Sequence, residues 1–365
     1  MRRHRIARLA AGLACTLFAA ILPAAAAGPS GSAPIDFVEA HKFATLPADV
    51  RFPEGIAANP ATGDIFVATF DFGPVSNKLV RLDRNGKVEA IRDFGATPLL
   101  GLEYRAGKVY ILNFGAGSLQ RIDAGFDAST PVETLASFDG LGSPGSRSEA
   151  NPDGSSDLLT FGSNGKSAPN AMAFDAAGNA FISDSFQGAI FEVPAATTCA
   201  PACTALVFSH DPQLATAGTP PFGANGLAFS PDGATLYIAN TGDHRVLAMD
   251  MATRAIRLFS LSVAGADGLR MVDGDLWVAA NQADQVMRLD GDGRIVVKAG
   301  EFLGVRDGTP RGLIFPASIV DVKGWMYVTN LALPLTSDPA GGPASRDEPE
   351  DFVTRWTLSR FPIPR

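Results

Sequence analysis

Histidine and cysteine are scarce in this chain, with four and three residues respectively in 365. Zinc usually recruits those side chains, so a zinc centre has little to draw on. Three familiar signatures are also missing: a G-x-S-x-G nucleophile elbow, an H-E-x-x-H pair and a P-loop. Serine-hydrolase and nucleotide chemistry lose their usual sequence support with them. Positive charge is short too, with 30 Lys and Arg against 38 Asp and Glu, a formal net charge of −8. That balance speaks against nucleic acid and anionic membrane as partners and for attraction of cations. After the first 27 residues no run approaches the ~20 apolar residues of a membrane helix.

What is present begins with MRRHRIARLAAGLACTLFAAILPAAAAGPSG. Four arginines precede an apolar run that ends in small residues matching an A-x-A cleavage site, so residues 1–27 read as a secretory signal peptide. A retained anchor is the competing reading, but Pro23 interrupts the run and no stop-transfer cluster follows it. Cleavage removes the arginines, takes the charge from −8 to −12 and predicts a secreted or periplasmic protein with no membrane association. Cys199 and Cys203, in TTCAPACTA, read as a small-loop disulfide suited to an oxidising compartment.

With 38 glycines and few long helical periods, the remainder reads as all-β. Six segments share a small polar entry, an apolar pair, a Gly-containing turn and a β-rich run. They are PEGIAANPATGDIFVAT, LLGLEYRAGKVYILN, PNAMAFDAAGNAFISD, ANGLAFSPDGATLYIAN, ADGLRMVDGDLWVAA and PASIVDVKGWMYVTN. Most are followed about ten residues later by another strand, as in KLVRLDRNG or QVMRLDGDG. No such unit can bury its faces alone, and radial stacking of six predicts a single six-bladed β-propeller over 28–365. The stretch IDFVEAHKFATLP is expected to close the ring against the last blade. Residues 139–167 and 336–351 read as inserted loops, the first being where a seventh blade would hide; a two-sheet sandwich is the other alternative.

Aligning the repeats sets Glu54, Leu100, Asn170, Asn225, Asp267 and Ala317 at one equivalent position. Taken singly, Asn225 before Gly226 is an ordinary turn former. Taken together, two carboxylates and two carboxamides converging on an axis make an oxygen-only ligand set. Such a set suits a divalent cation, Ca²⁺ above all, with Mg²⁺, Mn²⁺ or Zn²⁺ as other candidates. A second series, Thr69, Asn113, Asp184, Asn240, Ala280 and Asn330, reads chiefly as structural capping. GLGSPG and DGDG match known motifs only formally and lie in turn contexts.

The first, fourth and fifth repeats resemble the gluconolactonase or regucalcin-like (senescence marker protein) family of six-bladed propellers, and the similarity extends over most of the chain. The resemblance implies an axial divalent cation, commonly Ca²⁺, held by Glu54, Asn225 and Asp267, with Asn170 contacting substrate. The chain departs from the pattern at Ala171, where an acidic residue is common, and no arginine closely precedes Asn170 as in sugar-lactone members. The implied activity is hydrolysis of a lactone or related ester, with Asp267 as ligand and general base and Asn170 and Asn113 orienting a small-molecule substrate on a monomer. A non-catalytic NHL-type binding propeller and a strictosidine-synthase-like propeller remain the other readings.

Overall fold

The repeat unit resolves into six blades of four antiparallel strands, the fifth blade extended by one further strand, in a computed structural model that describes residues 34–163, 165–261, 263–335 and 348–364. The proposed signal peptide and most of the 336–351 insertion lie outside the described residues. The innermost strands of blades 1 to 6 are Pro53–Ala58, Leu99–Arg105, Pro169–Phe174, Ala224–Phe229, Ala266–Val272 and Pro316–Val322. Each opens the sheet order of its blade, and the architecture is the expected six-bladed β-propeller.

Alternation of side chains across each strand puts apolar residues on both faces of every sheet, where neighbouring blades cover them. Phe66, Leu79, Ile111 and Phe126 pack between blades 1 and 2. Trp277, Val297, Val328 and Phe361 fill the space between blades 5 and 6. Each buried side chain of this size contributes about 1.5–3 kcal/mol relative to exposure.

The N-terminal stretch closes the ring as its sequence position predicts. His41–Thr45 forms the outer strand of blade 6, antiparallel to Thr357–Pro362, with His41 opposite Arg360 and Thr45 opposite Thr357. Just before it, Asp36–Val38 runs parallel to Ile295–Ala299 and covers the outer edge of blade 5. The disulfide between Cys199 and Cys203 closes a short loop in blade 3.

Two inserted hairpins refine the sequence reading. The segment expected to be an irregular loop over 139–167 contains the strand pair Gly145–Ala150 and Ser156–Phe161, and a second pair, Phe302–Arg306 and Thr309–Gly312, lies between blades 5 and 6. Neither pair joins a blade, so there is no seventh one among the described residues. The first hairpin is fastened by Arg147, whose Nη1 donates to the carbonyls of Pro212 and Ala215 at 2.7 Å each, while Nη2 pairs with Asp243. It thereby braces the 211–223 connection, which delivers Pro220 and Phe222 to the mouth of the central channel.

Candidate functional site

Every innermost strand carries the same irregularity at the position aligned in the repeats. In blade 4, Ala224 pairs with Asn240 but Leu227 pairs with Ile238, so one extra residue is accommodated at Asn225 and Gly226. The same two-against-one slip occurs in the other five blades. A β-bulge re-aims the side chain it carries, and here it turns the ring residue toward the axis. The turn reading of Asn225-Gly226 therefore does not hold, although the nearby SPDG is a real turn closed by Gly233 N–H donating to the Ser230 carbonyl at 2.9 Å.

Gly226 is needed for a different reason from turn formation. A Cβ there would stand 2.1 Å from the Asp267 carbonyl oxygen, and one on Gly55 would stand 2.1 Å from that of Leu100. Glycine thus lets the backbone of one ring residue pack against the strand of the preceding blade.

Glu54, Asn170, Asn225 and Asp267 are brought together around one cavity of about 30 Å³, each no more than 5% exposed. Asn281 and Thr241 join them, and Phe70, Leu100, Pro220, Phe222, Phe315, Leu331 and Leu333 line the rest. A space of this size holds an ion with a water, not a sugar ring.

The amides are oriented by hydroxyls in the neighbouring strand. Thr241 Oγ1 donates its only proton to the Ala266 carbonyl at 2.7 Å, so it can only accept from Asn225 Nδ2, 2.9 Å away. Ser185 repeats the arrangement, donating to the Ala224 carbonyl at 2.7 Å and accepting from Asn170 Nδ2 at 2.9 Å. In both residues the hydroxyl draws the amide nitrogen toward itself and leaves the amide oxygen for the cavity. Asn281 Nδ2 donates to Asp267 Oδ2 at 3.0 Å.

The remaining oxygens have no such partner. Glu54 Oε2, Asn170 Oδ1, Asp267 Oδ1 and Asn281 Oδ1 are all buried without a hydrogen bond among the described residues. Burial pushes the Glu54 carboxyl well above its ordinary range, with the Asp267 charge adding to the shift and a hydrogen bond from Ser318 opposing it. Burial likewise pushes Asp267 up to about 7 against hydrogen bonds from Asn281 and Asn225. Among the described residues no cationic side chain lines the cavity. A group of orphaned acceptors with two carboxylates fits an oxygen-preferring cation. Among the described residues no three His, Cys, Asp or Glu side chains gather as a metal cluster, because half of the converging ring residues are carboxamides.

Asn113, expected to orient substrate, is not brought to this cavity. Its Oδ1 accepts from the Ala116 N–H at 3.0 Å, and its Nδ2 donates to Gln120 Oε1 at 3.2 Å, so it caps a turn of blade 2. Its series behaves alike, with Asp184 accepting from the N–H groups of Ala168, Phe186 and Gln187, and Asn330 from that of Ile314. The residues missed by sequence reasoning lie one place further on. Ser185, Thr241 and Asn281 directly follow Asp184, Asn240 and Ala280, a polar trio already legible in the repeat alignment.

Deeper along the channel, Arg270 Nε lies 2.6 Å from Asp321 and its Nη1 lies 3.4 Å from Glu103. Burial raises the Glu103 carboxyl in spite of Arg270. This ion pair lines a separate cavity of about 50 Å³ and belongs to the channel wall below the oxygen ring.

Residues 165–299, which contain Asn170, Asn225 and Asp267, match the family described as the SMP-30/Gluconolactonase/LRE-like region. No curated protein matches the chain. Among solved structures, a luciferin-regenerating enzyme is 16% identical with a TM-score of 0.56, over 86% of this chain and 92% of that one. Regucalcin from Agrobacterium tumefaciens, a calcium-binding protein, is 16% identical with a TM-score of 0.54, over 90% of this chain and 97% of its own. A gluconolactonase from Xanthomonas campestris is 15% identical with a TM-score of 0.52, over 88% of each chain. At these identities the structures speak for the fold, and the matched segment speaks for the sequence pattern. Over residues 165–299, which include the fourth and fifth repeats, the chain is therefore similar to the SMP-30/gluconolactonase family.

Proposed function

We propose that the protein is an exported, divalent-cation-dependent hydrolase of a lactone or related cyclic ester. The observation that carries this reading is the set of buried, unpartnered oxygens on Glu54, Asn170 and Asp267 around one ion-sized cavity. Glu54, Asn225 and Asp267 would hold the cation, with Ca²⁺ the ion best suited to mixed carboxylate and carboxamide ligands. When bound, it supplies Lewis acidity toward a carbonyl oxygen and acidifies water.

The chain's own residues do the rest. Asn281 holds one Asp267 oxygen, leaving Oδ1 as the atom free to take a proton from an attacking water. The water oxygen bonds to the acyl carbon, the ring C–O bond breaks, and the departing alkoxide is protonated to give a hydroxy acid. Asn170, fixed by Ser185, presents an oxygen that orients polar groups of the substrate. No covalent nucleophile is required, which agrees with the missing elbow motif.

Calorimetric titration of chelator-treated protein with Ca²⁺, paired with lactone hydrolysis before and after chelation, tests the reading. One tightly bound cation and activity that vanishes with its removal are expected. A folded protein that binds no divalent cation sinks the proposal at its first step. Export is checked by the mass of the secreted protein, expected to begin after Ala27.

A further inference from the structure

The oxygen ring occupies one side of the cavity, and among the described residues the rest of the lining is carbon. Phe70, Leu100, Phe222, Phe315, Leu331 and Leu333 supply it. The hydroxyl of Thr241, the one alcohol among the described lining residues, is already committed to Asn225 and Ala266. A polyhydroxylated ring seated above the oxygens would turn its hydroxyls against carbon, and each one left unpaired costs about 1–3 kcal/mol.

Four phenylalanines form a closed collar at this mouth. Phe70 meets Phe114 with ring centroids 5.4 Å apart, Phe114 meets Phe186 at 5.8 Å, Phe186 meets Phe222 at 5.4 Å, and Phe222 returns to Phe70 at 6.4 Å. They come from four different blades or their connections, so no local packing need assembles them. Phe114, Phe186 and Phe222 are only half-buried, and Phe72, packed on Phe70 and Phe114, is 55% exposed. Aromatic surface left this open near a cavity marks a place for apolar ligand rather than a finished core. On the outer side of the collar lies a cleft of about 580 Å³, whose lining includes Phe114, Phe138 and Phe186 and, at its rim, Lys166.

Resting on the hydrolase reading above, we propose that the substrate is a lactone or ester with an aryl or bulky alkyl body. Its carbonyl faces the oxygen ring, and its apolar body lies against the collar formed by Phe70, Phe114, Phe186 and Phe222, reaching the outer cleft. Phe222 is then a specificity-determining residue, held in place by the hairpin that Arg147 fastens to the 211–223 connection.

The test compares dihydrocoumarin, δ-valerolactone and glucono-δ-lactone as substrates of the full mature protein with Ca²⁺. In parallel, calorimetry compares their inert lactam counterparts 3,4-dihydro-2-quinolinone and gluconolactam. The proposal expects kcat/KM for dihydrocoumarin to exceed that for glucono-δ-lactone by about 100-fold, since several unpaired hydroxyls separate the two. It also expects the quinolinone to be the tighter lactam. In Phe222→Ala the dihydrocoumarin to valerolactone selectivity ratio should fall about 30-fold, chiefly through KM, which corresponds to losing one buried aromatic contact. If that variant melts early, Phe222→Leu should show the same ordering with a smaller fall. Preference for the sugar lactone or its lactam overturns the proposal and leaves the hydrolase reading intact. Quinolinone binding that disappears in Phe222→Ala, with no turnover of any lactone, keeps the apolar site and discards the hydrolase. No quinolinone binding at all overturns the proposal whatever the activities are.

Discussion

The two halves of the channel mouth are built on the same backbone and differ at two positions per blade. In blades 3, 4 and 5 the residue leaving the second strand is Ser185, Thr241 or Asn281, and each fixes a ring side chain of its own blade. In blades 1, 2 and 6 the same place holds Phe70, Phe114 or Leu331. The ring position follows the division in blades 2 and 6, where Leu100 and Ala317 stand in for Asn or Asp, while blade 1 breaks it with Glu54. Propeller pseudo-symmetry thus provides six equivalent bulges, and side-chain choice divides them into an oxygen-lined arc and an apolar arc. Polar ring residues come with a polar neighbour that orients them; Glu54, the exception, has Ser318 from blade 6.

This contrast can be broken most severely at Asp267. Asp267→Ala should abolish Ca²⁺ binding by calorimetry and lower lactone hydrolysis by roughly 10³-fold or more, since both a ligand and the proposed base are lost. Gly226→Ala comes next, because its new methyl group collides with the Asp267 backbone. A loss of about 1–3 kcal/mol or more in denaturant unfolding is expected, together with weakened cation binding. Thr241→Val removes the hydroxyl that orients Asn225 while keeping its shape. Cation affinity should fall about 10–100-fold, and Thr241→Ser should restore most of it. Asn113→Ala lies outside the ring and should cost about 1 kcal/mol of stability with no change in Ca²⁺ affinity.

A pH series sharpens the electrostatic half of the comparison. Asp267 in the cation-free protein titrates near 7, above the ordinary aspartate value, so between about pH 4 and 7 the folded state binds more protons than the unfolded one. Chelated protein should therefore lose stability as pH rises through that window. Added Ca²⁺ should remove the loss, because it favours the ionised carboxylates. Thermal melts at pH 5 and pH 8, with and without Ca²⁺, check the sign; a chelated protein more stable at pH 8 contradicts it.

The sequence already displayed the six units, the closing strand and the four converging ring residues, because repetition makes equivalent positions visible without coordinates. It concealed the bulge. Two residues opposing one is a property of a strand pair, and Asn225-Gly226 by itself looks like a turn. The Gly145–Ala150 and Ser156–Phe161 hairpin was hidden for another reason: SRSEA and SDLLTF show no buried face, so no period-2 signal marks them. Asn113 stands outside the cavity lining, and an asparagine that caps a turn and one that meets a ligand leave the same trace in an alignment. The aromatic collar was out of reach, since Phe70, Phe114, Phe186 and Phe222 are far apart in the chain and meet only when the blades close.

The strand His41–Thr45 that completes blade 6 has a reach beyond its own edge. Blade 1, which carries Glu54, is attached to blade 6 across this closure, and Thr329 of blade 6 donates to the Glu54 carbonyl at 2.8 Å. Glu54 and Asp267 therefore approach the same cavity from either side of this closure. A cation shared between them, as proposed, would act as a latch, and its occupancy should slow amide hydrogen exchange along His41–Thr45, far from any ligand atom.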